Sequence, residues 1–191
     1  MVETKSILLV GVGGQGTILA SKILSTGLIE SGYDVKMSEI HGMSQRGGSV
    51  TTQIRYGDKV NSPIIGKGEA NILVSFEVME ALRRIEYLDP NGKMVINNYR
   101  IPSAPILTGK SEYPEGVIER IKDKVDTTIL NAADMAEELG NPKVMNVVLL
   151  GALIKAMGLT DINWEEIIKE TVKERFIDIN IKALNMGMES L

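Results

Sequence analysis

The sequence predicts an α/β fold: a Rossmann-like, doubly wound sheet, mainly parallel, with an antiparallel excursion after the second strand and helices at the C-terminal end. Three observations carry this. Ile7-Leu8-Leu9-Val10 is a short, uninterrupted apolar run of the kind that suits a strand covered on both faces. A glycine-rich turn, Gly11-Val12-Gly13-Gly14-Gln15-Gly16, joins that run to a helical pattern. The last third of the chain places apolar residues at helical spacing.

In the first helix Ala20, Leu24 and Leu28 recur at every fourth position, with Leu19 and Ile23 alongside, and Gly32 stops it. Asp34 to Ile40 reads as the second strand. Only eight residues separate Ile40 from Ser49. A parallel crossover needs about a dozen or more. The strand Ser49 to Tyr56 is therefore expected to run antiparallel to its predecessor, or to leave that edge.

A loop with Pro63, Gly66 and Gly68 follows, then a buried strand from Asn71 to Phe76. Glu77 to Tyr87 reads as a helix, with Glu77 and Glu80 at the end where the dipole favours negative charge. Asp89-Pro90-Asn91-Gly92 has turn chemistry, and Lys93 to Asn97 reads as a strand. Residues 99–114, interrupted by prolines, read as loop. A helix near Glu115 to Asp123 and a strand from Thr127 to Leu130 come next.

Asn141-Pro142 pairs an N-cap residue with proline at the first helical position. Val144 to Met157 is apolar on nearly every face, which predicts burial in the core or against another chain. Asn163-Trp164-Glu165-Glu166 has the form of a capping box, and Asp178 to Met188 repeats at helical spacing. With no repeat and no linker, the chain is expected to form a single domain over 1–191. Its α/β core spans about 1–131 and its helical part about 132–191.

Composition excludes several functions. The 191 residues hold no cysteine and one histidine. They can build no zinc ribbon, no cysteine nucleophile, no cysteine-ligated iron–sulfur cluster and no multi-histidine metal site. With 25 acidic against 21 basic residues and a pI near 5.2, the chain lacks the basic footprint of a nucleic-acid or anionic-membrane binder. Met1-Val2-Glu3-Thr4-Lys5 leads directly into a strand, so a cytoplasmic protein without a signal peptide is expected.

Two clusters can carry chemistry. Gly11, Gly13 and Gly16 sit between a strand and a helix, where glycines let a backbone approach a ligand and the helix start offers free N–H groups to an anion. Glu39 lies near where a ribose-binding carboxylate would stand. The same glycines could instead serve only tight strand–helix packing. The second cluster, His41-Gly42-Met43-Ser44-Gln45-Arg46-Gly47-Gly48, puts an imidazole, a hydroxyl, an amide and a guanidinium into one connection. Arg46 can hold a carboxylate or phosphate bidentately. Asn97 and Asn98 read as turn chemistry, and Asn146 as a helix–helix or interface hydrogen bond. The charged stretch Lys169 to Arg175 reads as a solvated face.

The glycine turn together with Ser38-Glu39-Ile40-His41-Gly42-Met43-Ser44-Gln45-Arg46-Gly47-Gly48-Ser49-Val50 resembles the γ-type domain of 2-oxoacid:ferredoxin oxidoreductases. Within that family it is most similar to the small (β) subunits of the indolepyruvate-type enzymes. The likeness extends over nearly the whole chain.

It implies an enzyme that oxidatively decarboxylates an aryl 2-oxo acid, such as indolepyruvate, to an acyl-CoA. Thiamine diphosphate with magnesium, and iron–sulfur clusters that feed ferredoxin, are implied on a larger partner subunit. Coenzyme A is the co-substrate, and this chain holds no cofactor of its own. His41, Gln45 and Arg46 are the implied supporting catalytic residues. Gly11, Gly13, Gly14, Gln15, Gly16, Gly42, Met43, Ser44, Gly47 and Gly48 are the implied cofactor- or substrate-binding positions. The alternatives are an independent NAD(P)-binding protein using Gly11, Gly13, Gly16 and Glu39, and a non-catalytic assembly subunit.

Overall fold

The computed structural model describes residues 3–42 and 47–191. Among them a six-stranded sheet has the order β2-β3-β1-β4-β5-β6. Its strands are β1 (Lys5–Val12), β2 (Asp34–His41), β3 (Ser49–Gly57), β4 (Ala70–Ser75), β5 (Leu88–Asn97) and β6 (Asp126–Leu130). β1, β4, β5 and β6 pair in parallel, whereas β3 runs antiparallel to both β1 and β2.

The antiparallel third strand is thus present, and its position is the new information. It is inserted between β1 and β2, with Gly11 facing Val50 and Val50 facing His41. The helix α1 (Thr17–Glu30) carries the chain from β1 past this slot to the sheet edge, and the short connection after His41 folds β3 back into it.

Helices α2 (Val78–Arg84), α3 (Ala104–Leu107) and α4 (Val117–Lys122) follow within the α/β part; α5 (Ala132–Glu138), α6 (Met145–Ala156), α7 (Trp164–Thr171) and α8 (Ile177–Glu189) make up the end of the chain. The helix read over Glu77–Tyr87 is α2 followed by a 3-10 turn, Ile85–Tyr87. The loop read over 99–114 contains the single turn α3.

Asp89–Gly92 is corrected from a turn to part of β5. Asn91 N does donate to Asp89 Oδ1 at 2.8 Å, as turn chemistry requires, but pairing with β4 resumes beyond it, so the segment is a bulge inside one strand.

Two apolar layers cover the sheet. On the α1 face, Ile7, Leu9, Ile54, Ile72 and Val74 meet α1, α6, α7 and α8. Every residue of α6 from Met145 to Ile154 is buried, which places this all-apolar helix in the core. Its contact with α8 depends on two glycines. A Cβ on Gly151 would lie 2.1 Å from Leu184 O, and one on Gly187 1.9 Å from Val148 O. Trp164 passes under Gly27 of α1 and donates its indole N–H to Leu159 O at 2.8 Å.

On the other face, Leu8, Val10, Leu73, Met94 and Ile96 meet α2 and α4. Asn163 caps α7 by accepting from Glu166 N at 3.4 Å; the Glu166 carboxylate turns instead to Lys169 at 3.1 Å, so half of the capping box forms. Among the described residues, no helix is long and apolar enough to cross a membrane.

Candidate functional site

The two sequence clusters meet at the ends of β1, β2 and β3. Insertion of β3 beside β1 sets Ser49 opposite Val12. The residues before Ser49 therefore run straight into the glycine turn. Gly13 N donates to Gly48 O at 2.8 Å, with a longer contact of 3.5 Å from Gly47 N to Gly13 O. On the other side, Gly42 N donates to Ser49 O at 3.3 Å. The Gly47–Gly48 end of the connection is thus anchored against the turn, and Gly42 against Ser49 at the start of β3. Met43, Ser44, Gln45 and Arg46 lie outside the described residues.

The turn needs its glycines for two reasons. Gly14 and Gly16 have φ of +102° and +80°, a region that disfavours side chains. A Cβ on Gly16 would also lie 2.6 Å from Asn146 Nδ2. Asn146 is buried at the start of α6 and donates to Gly16 O at 2.9 Å. Its partner is therefore the carbonyl that begins α1.

Gln15 has a bracing position. Its Oε1 accepts from Val12 N at 2.7 Å and its Nε2 donates to Phe76 O at 2.9 Å, which closes the turn and ties it to the end of β4. Gly11 is buried beneath this brace, where a Cβ would lie 2.9 Å from both Gln15 Oε1 and Phe76 Cβ.

No side chain caps α1, and its first turn holds no acidic residue, so its leading amides have no internal anionic partner among the described residues. A cavity of about 420 Å³ opens there, lined by Gly13, Gly14, Gly16, Thr17, Ile18, Glu39, His41 and Val50. His41 ends β2 and is exposed. Glu39 lines the cavity but stands two strands from β1, about 10 Å away by ordinary strand spacing. In the standard dinucleotide arrangement the second strand lies beside the first, and the inserted β3 removes that proximity.

Two further cavities border the turn. One of about 330 Å³ is shared with Tyr99, Ile101, Glu137 and Met145, and one of about 420 Å³ with Pro142, Lys143 and Asn146.

The walls are held by groups the sequence reading missed or misassigned. Asn97 is corrected from turn chemistry to a buried link. Its Nδ2 donates to Phe76 O at 3.2 Å and its Oδ1 accepts from Ala132 N at 3.0 Å.

Glu77 is 1% exposed and N-caps α2 by accepting from Glu80 N at 3.0 Å. Its other oxygen accepts from Tyr113 Oη at 2.5 Å and from Ile101 N at 3.2 Å, which pins the segment carrying Tyr99 and Ile101. Burial, and then the Glu77 carboxylate, hold the Tyr113 phenol well above its ordinary pKa. Glu80, also buried, accepts from Ser49 Oγ at 2.5 Å, fixing the exit of the second connection from the opposite face. The pattern Glu77-x-x-Glu80, read as dipole chemistry alone, also had the spacing of an N-cap and its third helical residue.

Among the described residues, no group of three or more His, Asp or Glu side chains could hold a metal ion, and the chain has no cysteine.

Comparison with known proteins agrees with this architecture. The family profile for pyruvate ferredoxin/flavodoxin oxidoreductase matches residues 6–190. The chain is 37% identical to the indolepyruvate oxidoreductase subunit IorB of Pyrococcus horikoshii, over 97% of this chain and 95% of that one. It is 28% identical to the pyruvate/ketoisovalerate oxidoreductases common subunit gamma of Thermococcus kodakarensis, covering 91% and 89% of the two chains.

Among solved structures, the γ subunit of a keto/oxoacid ferredoxin oxidoreductase from Geobacter sulfurreducens has a TM-score of 0.72 at 23% identity, covering 97% of both chains. The 2-oxoglutarate:ferredoxin oxidoreductase of Magnetococcus marinus has a TM-score of 0.74 at 18% identity; the match spans 98% of this chain but 31% of that one. These two show a shared fold. By sequence, the chain belongs to the pyruvate ferredoxin/flavodoxin oxidoreductase family and matches subunits of such enzymes over about nine-tenths or more of their length.

Proposed function

We propose that this chain is the small subunit of a thiamine-diphosphate-dependent 2-oxoacid:ferredoxin oxidoreductase that converts an aryl pyruvate, indolepyruvate in the first instance, to its acyl-CoA. It works in the cytoplasm and is inactive without its large partner. The choice of acid rests on its likeness to indolepyruvate oxidoreductase subunits, 33% to 37% identical in several archaea. Thiamine diphosphate, magnesium and the iron–sulfur clusters belong in this reading to the large partner; the lack of any cysteine in the chain supports this for the clusters.

The observation that carries the role of this chain is the hydrogen bond from Gly13 N to Gly48 O. It joins the glycine turn to the connection bearing His41, Gln45 and Arg46. The uncapped start of α1 and the Arg46 guanidinium together receive an anion, either a substrate carboxylate or a phosphate of coenzyme A. His41 and Gln45 orient that group by hydrogen bonding. Gly14, Gly42, Met43, Ser44 and Gly47 shape the approach.

The test is reconstitution with the large subunit. Arg46→Ala should leave assembly unchanged and lower arylpyruvate-dependent ferredoxin reduction by about tenfold or more, the worth of a charge-assisted hydrogen bond. Unchanged turnover in an intact complex would overturn the assignment. Titration of the chain with NADH tests the dinucleotide-binding alternative, for which the displaced Glu39 leaves no matching ribose site.

A further inference from the structure

A second cavity lies on the other face of the sheet, away from the glycine turn. Alternate residues of β3 face α2 there, beginning with Ser49, which donates to Glu80. Thr51 and Gln53 continue the row. Together with Leu8, Ile40, Arg84 and Tyr87 they line a cavity of about 170 Å³. Leu8, Thr51 and Gln53 are 1%, 8% and 5% exposed, so this is a recess with a buried floor.

Arg84 is the last residue of α2. Its Nε is shut off from solvent and has no acceptor. The negative end of the helix helps keep a cation there, but it supplies no hydrogen bond to that nitrogen. Among the described residues no carboxylate lines the recess. The neighbouring acids are already engaged: Glu80 with Ser49 and Arg83, and Glu86 with Lys67. Gln53 Oε1 accepts from Ile65 N at 2.6 Å, and its amide N–H₂ remains as a donor for the recess. Thr51 and Tyr87 contribute hydroxyls. A guanidinium, an amide and two hydroxyl side chains therefore line a recess that no carboxylate among the described residues lines.

Arg84 itself is half-buried, but an N–H shut off from solvent without an acceptor costs free energy that a bound acceptor recovers. A planar guanidinium matches carboxylate and phosphate oxygens in particular. We propose that Arg84, with Thr51, Gln53 and Tyr87, forms a binding site for a small oxyanion, a carboxylate or a phosphate, separate from the glycine-turn cavity. The recess has room for roughly five or six waters' worth of volume, which suits such a group. An anion held there bridges α2 and β3 beside the Ser49–Glu80 contact. It therefore bears on the strand and helix that anchor the exit of the 42–48 connection.

The full chain, titrated with inorganic phosphate and separately with acetate at an ionic strength held constant with sodium chloride, tests this by backbone amide NMR. Saturable shifts at Thr51, Gln53, Arg84 and Tyr87 are expected, and the stronger of the two anions identifies the preferred chemistry. Arg84→Gln should weaken binding about tenfold or more. Thr51→Val, which nearly preserves side-chain shape, should weaken it less and keeps the test decisive if Arg84→Gln fails to fold. The proposal is overturned if neither anion gives saturable shifts, if the shifts fall only at Gly13 to Thr17, or if neither substitution changes the affinity.

Discussion

On the α1 face of the sheet the core is mainly aliphatic, built from the buried α6 and the glycine-mediated contact of α6 with α8. On the α2 face the apolar cluster is smaller, and Glu77, Glu80 and Gln53 are buried near it. The first arrangement uses close packing, which stabilises without specifying much beyond shape. The second uses hydrogen bonds with directed partners, which fix the segments that border the glycine turn. One face therefore supplies most of the packing, and the other, together with the Asn146–Gly16 bond from the first, holds the segments that border the candidate site. The comparison can be broken by substitutions on each side.

Trp164→Ala should have the largest effect, costing about 3–5 kcal/mol in chemical denaturation, because it empties the space beneath Gly27 and removes the bond to Leu159 O. Gly187→Ala comes next. Its new methyl collides with the backbone at Val148, where nothing flexible can yield, so a loss at the upper end of about 1–3 kcal/mol is expected. If either change were neutral, the α1 face would not be the stabilising one.

Tyr113→Phe on the opposite face should cost less, about 1–2 kcal/mol, yet act locally. It leaves Met79 N without the phenol oxygen and Glu77 without a donor, so hydrogen exchange at Met79 and Ile101 should accelerate ahead of the rest of the chain. Uniform acceleration would mean that the polar network does not position this segment separately.

The smallest effect at neutral pH is expected for Tyr56→Phe. Tyr56 is buried against Tyr33, and burial pushes its phenol up to about 12 from an ordinary value of 10. The folded state therefore holds this proton more tightly than the unfolded chain. The contribution is complete below pH 10 and is lost as pH rises from about 10 to about 12. Denaturation curves across that window should fall for the parent chain and fall less for Tyr56→Phe.

Much of this architecture can be read from local pattern. The eight residues between Ile40 and Ser49 leave a third strand that reverses or leaves that edge, because no parallel crossover fits in that length, and the structure takes the reversal. The same pattern is silent on which strand β3 pairs with on its other side, and that pairing is what brings Gly48 to Gly13. Turn chemistry at Asp89–Gly92 is real, yet it ends as a bulge because β4 continues to pair beyond it. Asn97 has the composition of a strand end, but its partners come from Phe76 and Ala132, distant in sequence. Gln15 belongs to the glycine motif by position, while its amide is engaged by Val12 and Phe76.

By itself the sequence determined the α/β class, the glycine turn between strand and helix, the exclusion of a parallel crossover before the third strand, and the lack of any cysteine ligand for a redox centre. These follow from spacing, periodicity and composition, which act over a few residues or over the chain as a whole. Only the tertiary structure decided that β3 would separate β1 from β2, that the two loops would share hydrogen bonds, and that Asn146 would reach Gly16. These depend on groups up to 130 positions apart competing for the same partners, and packing of the whole chain settles that competition.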